Sequence, residues 1–151
     1  MSRVSADDRV LVRNFTMADY ARVVDIWTEG RLPVKPQGRD SRSNIEKQLA
    51  LANVLFLVAE SEGRVVGTVL ATHDGRKGWI NRLAVDASCR KKGVGRRLIL
   101  EAENHLAAAG MEIFACLIES DNAVSMKVFE RLGYRKHPEI IYFAKRQYPG
   151  V

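Results

Sequence analysis

From Arg90 to Gly95 the chain reads Arg-Lys-Lys-Gly-Val-Gly, and Arg96 and Arg97 follow at once. Two glycines thus sit among five cations, where an amphipathic helical pattern begins: Val94, Leu98, Ala102, Leu106 and Ala109 share one face. The first turn of a helix carries unpaired backbone N–H groups and the positive end of the helix dipole, so it suits an anion. Gly93 and Gly95 let the backbone close on that anion with no Cβ in the way. The chemistry offered is phosphate binding by the backbone of Lys91 to Arg96, including Val94, with Arg90, Lys91, Lys92 and Arg96 as supporting cations.

The charge distribution sharpens this. The chain has a net charge of +6, yet residues 76–97 alone hold eight cations against the single acid Asp86, a net +7. The remainder is therefore nearly balanced. A focused patch fits a compact polyanion such as a nucleotide cofactor better than the long footprint of a nucleic acid. At 151 residues, 46% hydrophobic and 28% charged, the chain has the composition of one globular domain spanning 1–151. No apolar run reaches membrane-spanning length, and the N-terminal stretch lacks the apolar core of a signal peptide. Cys89 and Cys116 are too few for a disulfide framework and lack metal-ligand spacing. The expectation is a cytoplasmic protein with reduced thiols, no metal and no membrane contact.

The elements that must position the loop follow from periodicity. Val10 to Phe15 alternates as a first strand, and Thr16 opens a helix in which Tyr20, Val23, Val24 and Trp27 recur. Residues 31–40, rich in proline and glycine, form a loop; Ser43 is placed to cap a second helix running to about Ala52. Val54 to Glu60, Arg64 to Thr72 and 79–86 read as an antiparallel run of strands. After the long helix, Gly110 fits a C-terminal cap and Ile113 to Ile118 is a continuous apolar strand. Ser120-Asp121-Asn122 offers cap chemistry for a last helix ending at Leu132-Gly133. Tyr134-Arg135 and Ile140 to Lys145 read as closing strands.

A strand followed by Gly-x-Gly invites the dinucleotide fingerprint, but Leu98 occupies the third glycine position, and an antiparallel run does not make a Rossmann sheet. No Gly-x4-Gly-Lys-Ser/Thr is present, which removes the P-loop NTPases. Arg90-Lys-Lys-Gly-Val-Gly95 resembles the Gln/Arg-x-x-Gly-x-Gly/Ala signature of the GCN5-related N-acetyltransferases (the GNAT superfamily). Leu83-Ala-Val-Asp86 looks like that family's fourth strand. Asn122-Ala-Val-Ser-Met-Lys-Val-Phe-Glu-Arg-Leu-Gly-Tyr134 is similar to its last-helix segment. The resemblance covers essentially the whole chain. It implies an α/β (α+β) GNAT fold of about seven strands and four helices, in the order strand, two helices, three strands, helix, strand, helix, two strands.

It also implies roles. Acetyl-CoA would be the co-substrate, its pyrophosphate on the 90–96 loop and its pantetheine arm paired to the edge of Leu83, Ala84 and Val85. The fourth and fifth strands would splay, Leu83 parting from the segment around Leu117. Helical spacing puts Asn122, Ser125 and Phe129 on one face, which the resemblance turns toward the pantetheine end and thiol, while Val124, Val128 and Leu132 face the core. The reaction implied is attack of a primary amine on the thioester, with a backbone N–H near Leu83–Val85 stabilising the oxyanion. The amine belongs to a small molecule or a protein N-terminus.

Many relatives protonate the departing thiolate with a tyrosine; here that position is Phe129, which has no proton to give. Water, Tyr134 or Tyr142 are the alternatives. Glu119, the acid nearest the end of the fifth strand, is the candidate base, with Glu60, His73 and Asp74 as alternatives and a plain turn role as the competing reading of Glu119. The basic 28–43 segment, where relatives place the acceptor wall, carries Arg31, Lys35, Arg39 and Arg42 and would suit an acceptor with carboxylate or phosphate. Phe129 keeps a second function open, a non-catalytic acyl-CoA-binding or sensor domain of the same fold. Members of the family often form homodimers, some by exchanging C-terminal strands.

Overall fold

The computed structural model describes residues 9–151; the N-terminal stretch read above for a signal peptide lies mostly outside them, in residues 1–8. One sheet of five strands runs through the molecule in the order β1 (Val10–Asn14), β2 (Val54–Ser61), β3 (Arg64–His73), β4 (Gly78–Val85) and β5 (Phe114–Ala115). The first three neighbour pairs are antiparallel, and β4 with β5 is parallel. The helices are α1 (Tyr20–Glu29), α2 (Arg42–Leu49), α3 (Val94–Ala108) and α4 (Ala123–Arg131).

Alternation along the strands divides the core into two layers. Phe56 and Val58 of β2 face Trp27, Ile26 and Val23 of α1 and Ile45 of α2. Leu57 and Ala59, one residue out of step, face Leu98, Ala102 and Leu106 of α3. The α3 stripe read from the sequence is therefore the face that packs on the sheet, with Leu98 and Ala102 fully buried. Thr16 and Asp19 bond one another across a short 3-10 turn, Met17–Asp19, before α1 begins.

Several boundaries differ from expectation for identifiable reasons. Helix α2 is capped by Ser41, not Ser43: its hydroxyl accepts from the Asn44 amide at 3.2 Å, and the helix ends at Leu49. The fifth strand is two residues long, because the chain turns away from β4 after Ala115. The two closing strands are not formed among the described residues, so the sheet has five strands and not seven. Ile140, Ile141, Tyr142 and Phe143 are 71, 74, 70 and 88% exposed. A strand pattern needs a neighbouring edge to hydrogen-bond, and this segment lies against none. No helix among the described residues is long and apolar enough to cross a membrane.

Candidate active site

Strand β4 is paired along one edge and open along most of the other. On the β5 side only Gly78–Phe114 and Trp79–Ala115 pair. Beyond them the strands part, and the Asn81 side chain bridges the start of the gap, its Oδ1 accepting from the Leu117 amide at 2.9 Å. Past Asn81, the β4 edge through Leu83, Ala84 and Val85 is without a strand partner on that side.

The same stretch carries a bulge. Thr68 opposes Ala84 but Leu70 opposes Asn81, so β4 has one residue more than β3 between these pairs. Arg82 takes up the excess in the left-handed region, at φ 57°. A bulge leaves ladder groups unpaired and re-aims the backbone, which is what an amide needs in order to point at a reacting atom.

At its C-terminal end β4 hands over to the basic loop through Asp86. The Asp86 carboxylate accepts from the Ser88 hydroxyl at 2.7 Å and the Ser88 amide at 2.9 Å, and it pairs with Arg22 of α1. These bonds, those from Ser88 foremost, hold the carboxyl well below the ordinary carboxylate range. They fix the 3-10 turn Ala87–Cys89 that feeds the loop. Lys91 and Gly93 are left-handed, at φ 64° and 79°, on either side of a Lys92 that is not. Alternating hand makes successive backbone N–H groups converge. Among the described residues, no turn, cap or loop hydrogen bond uses the amides of Lys91 to Arg96. Arg90, Lys91, Lys92 and Arg96 are exposed, whereas Arg97 reaches back to the Val10 carbonyl and ties α3 to β1.

Gly95 is the hinge between loop and cleft. A Cβ there would stand 3.7 Å from Val128 and Val85 and 3.8 Å from Leu83, in ordinary contact with both β4 and α4. The loop amides, the open β4 edge and α4 thus meet around Gly95 in one candidate site. Its first-turn amides and cations fit a pyrophosphate, and its free strand edge fits an amide-bearing arm.

The structure revises the reading of α4. Asn122 caps the helix, its Oδ1 accepting from the Ser125 amide at 3.2 Å. Phe129 is 3% exposed and packs in the α3-side core, edge-on to Tyr134 at 4.9 Å, while Val124, assigned to the core stripe, is 55% exposed. Val128 and Leu132 of the same stripe do pack, partly buried, against the core, and Val128 is the α4 residue beside Gly95. The helix is rotated relative to expectation because the Phe129 ring outweighs the smaller Val124 in claiming buried space.

The candidate acids and bases separate. Glu119 is exposed beyond β5; its carbonyl accepts from the Asn122 amide at 2.9 Å, and among the described residues no bond engages its carboxylate. Glu60 is bonded to Arg13 at 2.8 Å, and Asp74 accepts from the Arg76 and Lys77 amides at 2.8 Å, so both have structural partners. His73 closes β3, half-buried, in register with Gly78. The Tyr134 hydroxyl donates to Glu103 at 3.0 Å; burial, then Glu103, pushes its pKa up, away from acid catalysis at neutral pH. Burial also raises the Cys116 thiol to about 11.

The comparisons with known proteins agree with this geometry. The model of the acetyltransferase (GNAT) family matches residues 20–134, from the start of α1 to Tyr134. The chain belongs to that family. Acetyltransferase plu1384 of Photorhabdus laumondii is 33% identical over 136 residues, covering 89% of this chain and 94% of that protein. Among solved structures, the fold is shared with the PaiA N-acetyltransferase of Thermoplasma acidophilum in complex with coenzyme A, at 18% identity and TM-score 0.69 over 83% of this chain and 89% of that one. It is shared too with an aminoglycoside acetyltransferase from an uncultured soil metagenomic sample in complex with sisomicin. That match has 14% identity and TM-score 0.76, over 94% of this chain and 99% of that one.

Within this GNAT fold, three positioning residues escaped the sequence reading. Asn81 and Asp86 were within the strand that was read, but nothing in the pattern gave them partners. Arg82 was counted only as a charge. Its guanidinium donates to both oxygens of buried Asp40 at 3.1 and 2.9 Å and to the Pro33 carbonyl at 2.6 Å, and lies 4.9 Å from the Trp27 ring. Burial lowers its pKa from the ordinary guanidinium value. Arg82 therefore pins the 33–40 loop to the bulged strand.

Proposed function

We propose that this GNAT chain works over residues 1–151 as an acetyl-CoA-dependent N-acetyltransferase whose acceptor is a primary amine. The observation that carries the reading is the adjacency, at Gly95, of the uncommitted amides of 91–96 and the unpaired, bulged edge at 83–85. When bound, acetyl-CoA supplies a thioester. A neutral amine nitrogen forms a bond to its carbonyl carbon, the carbon–sulfur bond breaks, and the electron pair leaves with sulfur.

The chain's own groups do the rest. The backbone of Lys91 to Arg96 holds the pyrophosphate with Arg90, Lys91, Lys92 and Arg96 around it. Leu83, Ala84 and Val85 pair with the pantetheine arm, and an N–H freed by the bulge stabilises charge on the carbonyl oxygen, a contribution of about 3 kcal/mol where such donors have been removed elsewhere. Asn122 and Ser125 frame the cleft at the head of α4, and Phe129 supports it from the core side. An amine of pKa ~10 is less than ~1% neutral at pH 7, so a proton acceptor is needed. Glu119, with its carboxylate uncommitted, takes that role directly or through water. A thiol pKa of ~8.5 lets the thiolate leave without a tyrosine acid.

A second reading, an acyl-CoA-binding module without turnover, is favoured by one observation: Phe129 has no hydroxyl and that of Tyr134 is committed to Glu103. Calorimetry with acetyl-CoA followed by thiol-release kinetics over an amine panel separates the two. Binding with turnover supports the transferase; binding with no turnover on any amine supports the module. Glu119→Gln should lower kcat while leaving the acetyl-CoA affinity unchanged.

A further inference from the structure

Strands β4 and β5 part at a defined point, and one side chain defines it. Gly78 pairs with Phe114 and Trp79 with Ala115, each 36 residues apart, and Asn81 and Leu117 keep the same offset. The Gly78 amide donates to the Ile113 carbonyl at 2.9 Å, so a continued parallel ladder would bring the Leu117 amide to the Ile80 carbonyl. It donates instead to the Asn81 side chain, with Oδ1 at 2.9 Å. Paired strands stand about 4.8 Å apart, and a side-chain carbonyl takes the place of the main-chain one only where they have separated by its reach. Leu117 is 53% exposed, so burial of its own side chain does not hold it there. Among the described residues, this is the hydrogen bond that holds the chain between Ala115 and Glu119, whose carbonyl accepts from the Asn122 amide.

In the transferase reading the cofactor runs back along β4, from the 91–96 loop past Val85 and Leu83. Its thioester end therefore points toward Asn81, and an acyl chain continues toward the place where the gap closes. The floor at that place has two parts. One is fixed: the Trp79–Ala115 pair is held main chain to main chain, and Ile80, fully buried, and Cys116, half-buried, pack in the α3-side core. The other is the Asn81–Leu117 bridge, which stands one step nearer the thioester and depends on a single carboxamide.

We infer that Asn81, by bridging to Leu117, sets the depth of the gap and so limits the acyl group of the donor to acetyl. This rests on the cofactor path of the transferase reading and names the residue that selects its donor. Asn81 is a positioning residue, acting through the strand it holds and not on the reacting atoms. Without the bridge the Leu117 amide turns to water, and the gap is free to open back to the Trp79–Ala115 pair. A longer acyl chain then gains buried surface, about fourfold in affinity for each methylene.

The test is calorimetry with acetyl-CoA, propionyl-CoA and butyryl-CoA, together with thiol release from each in the presence of ethanolamine, glucosamine or sisomicin. The parent is expected to bind acetyl-CoA about tenfold or more tightly than butyryl-CoA. Asn81→Ala should bring that ratio to within about threefold, chiefly by tightening butyryl-CoA. Asn81→Asp keeps an oxygen for the Leu117 amide and should keep the parent's ratio, because its charge acts on all three thioesters alike. Asn81→Gln, one methylene longer, should lower the ratio part-way, and it carries the test if the alanine variant does not fold. A parent with no preference overturns the inference. So does a ratio unchanged in Asn81→Ala, whether the three affinities hold or fall together, since that is what a purely structural role predicts. Both results leave the transferase reading standing. Thiol release with none of the three amines, from protein that binds acetyl-CoA, counts against the transferase reading, while the affinity ratios still decide the part of Asn81. Binding of none of the three thioesters overturns both.

Discussion

The two ends of the proposed site, donor and acceptor, are built on opposite plans. At the donor end a contiguous run, residues 90–96, supplies amides and cations from its own backbone and side chains, and Asp86 four residues earlier secures it. At the acceptor end the wall is assembled from distant pieces: Arg82 on β4, Asp40 lying 42 residues away and Trp27 on α1. The donor end places its left-handed turn at a glycine and a surface lysine. The acceptor end places it at Arg82, a half-buried arginine whose φ of 57° costs about 1–2 kcal/mol. Two buried polar atoms without partners, the Trp27 Nε1 and the Thr68 Oγ1, also lie in the α1-side layer that backs the acceptor wall. Left-handed non-glycine backbone thus occurs at both ends, at Lys91 and at Arg82, while the unsatisfied polar groups lie on the acceptor side.

The largest effect that can break this contrast is at Gly95. A Cβ there makes only ordinary contacts, so Gly95→Ala should fold with a melting temperature near that of the parent and serves as the control for Gly95→Val. The valine methyl groups would fill the mouth of the cleft between Val85 and Val128, so acetyl-CoA affinity should fall about 100-fold or more by calorimetry. Unchanged affinity would mean that the cofactor does not pass between β4 and α4. Gly93 is the poorer probe: at φ 79° any β-branched residue is strained, and lost binding would be confounded with lost stability.

That difference also explains what was legible. The donor loop is local, so its six consecutive residues could be read directly, and together with Leu83–Asp86 and Asn122–Tyr134 they pointed to the fold and the cofactor class. Helices α1 and α3 were legible because their stripes repeat over several turns. The rotation of α4 was not, since a nine-residue helix with apolar residues on two sides has no unique buried face until Phe129 finds Tyr134 and α3. The pairing of Arg82 with Asp40 could not be read at all. A cation in a strand and an acid in a loop have no spacing rule to join them.

At the acceptor end, Arg82→Ala should cost about 3 kcal/mol of stability, since it leaves the Asp40 carboxylate buried and unpaired. It should raise KM for the amine while changing acetyl-CoA affinity little. Asp40→Asn is the matching half of a double-mutant cycle, and denaturant melts of the single and double variants give the coupling. If the single losses simply add, the pin is not a unit, and the contrast between the two ends weakens.

Asp86 is the donor end's own half-buried acid, and it should respond to pH where the cofactor loop does not. Its folded pKa lies below the unfolded value of about 3.9, so its stabilisation is fully present above about pH 4 and lost as the pH falls toward the folded value. Asp86→Asn should therefore cost about 2 kcal/mol at pH 7, with the two stability curves converging in acid. Asp19, whose carboxyl is held low chiefly by its bonds from Arg13, keeps an acid limb in both proteins. Parallel curves down to about pH 2 would show that Asp86 is not ionically anchored in the fold.

The smallest effect tests whether the acceptor side stores unsatisfied polarity at all. Thr68 is fully buried on β3, opposite Ala84 and beside the β4 bulge, and its hydroxyl has no partner. Valine has nearly the same shape. Thr68→Val should remove a desolvated hydroxyl without opening a cavity, and so raise stability by up to about 1 kcal/mol in denaturant melts. A loss of stability instead would mean that the hydroxyl has a partner in solution, an ordered water behind the bulge being the chemistry that fits. The amine kinetics then decide what the hydroxyl is for. If Thr68→Val is more stable but raises KM for the amine, the orphaned group belongs to the same strained frame as Arg82, and the bulge is held for the acceptor and not for the fold.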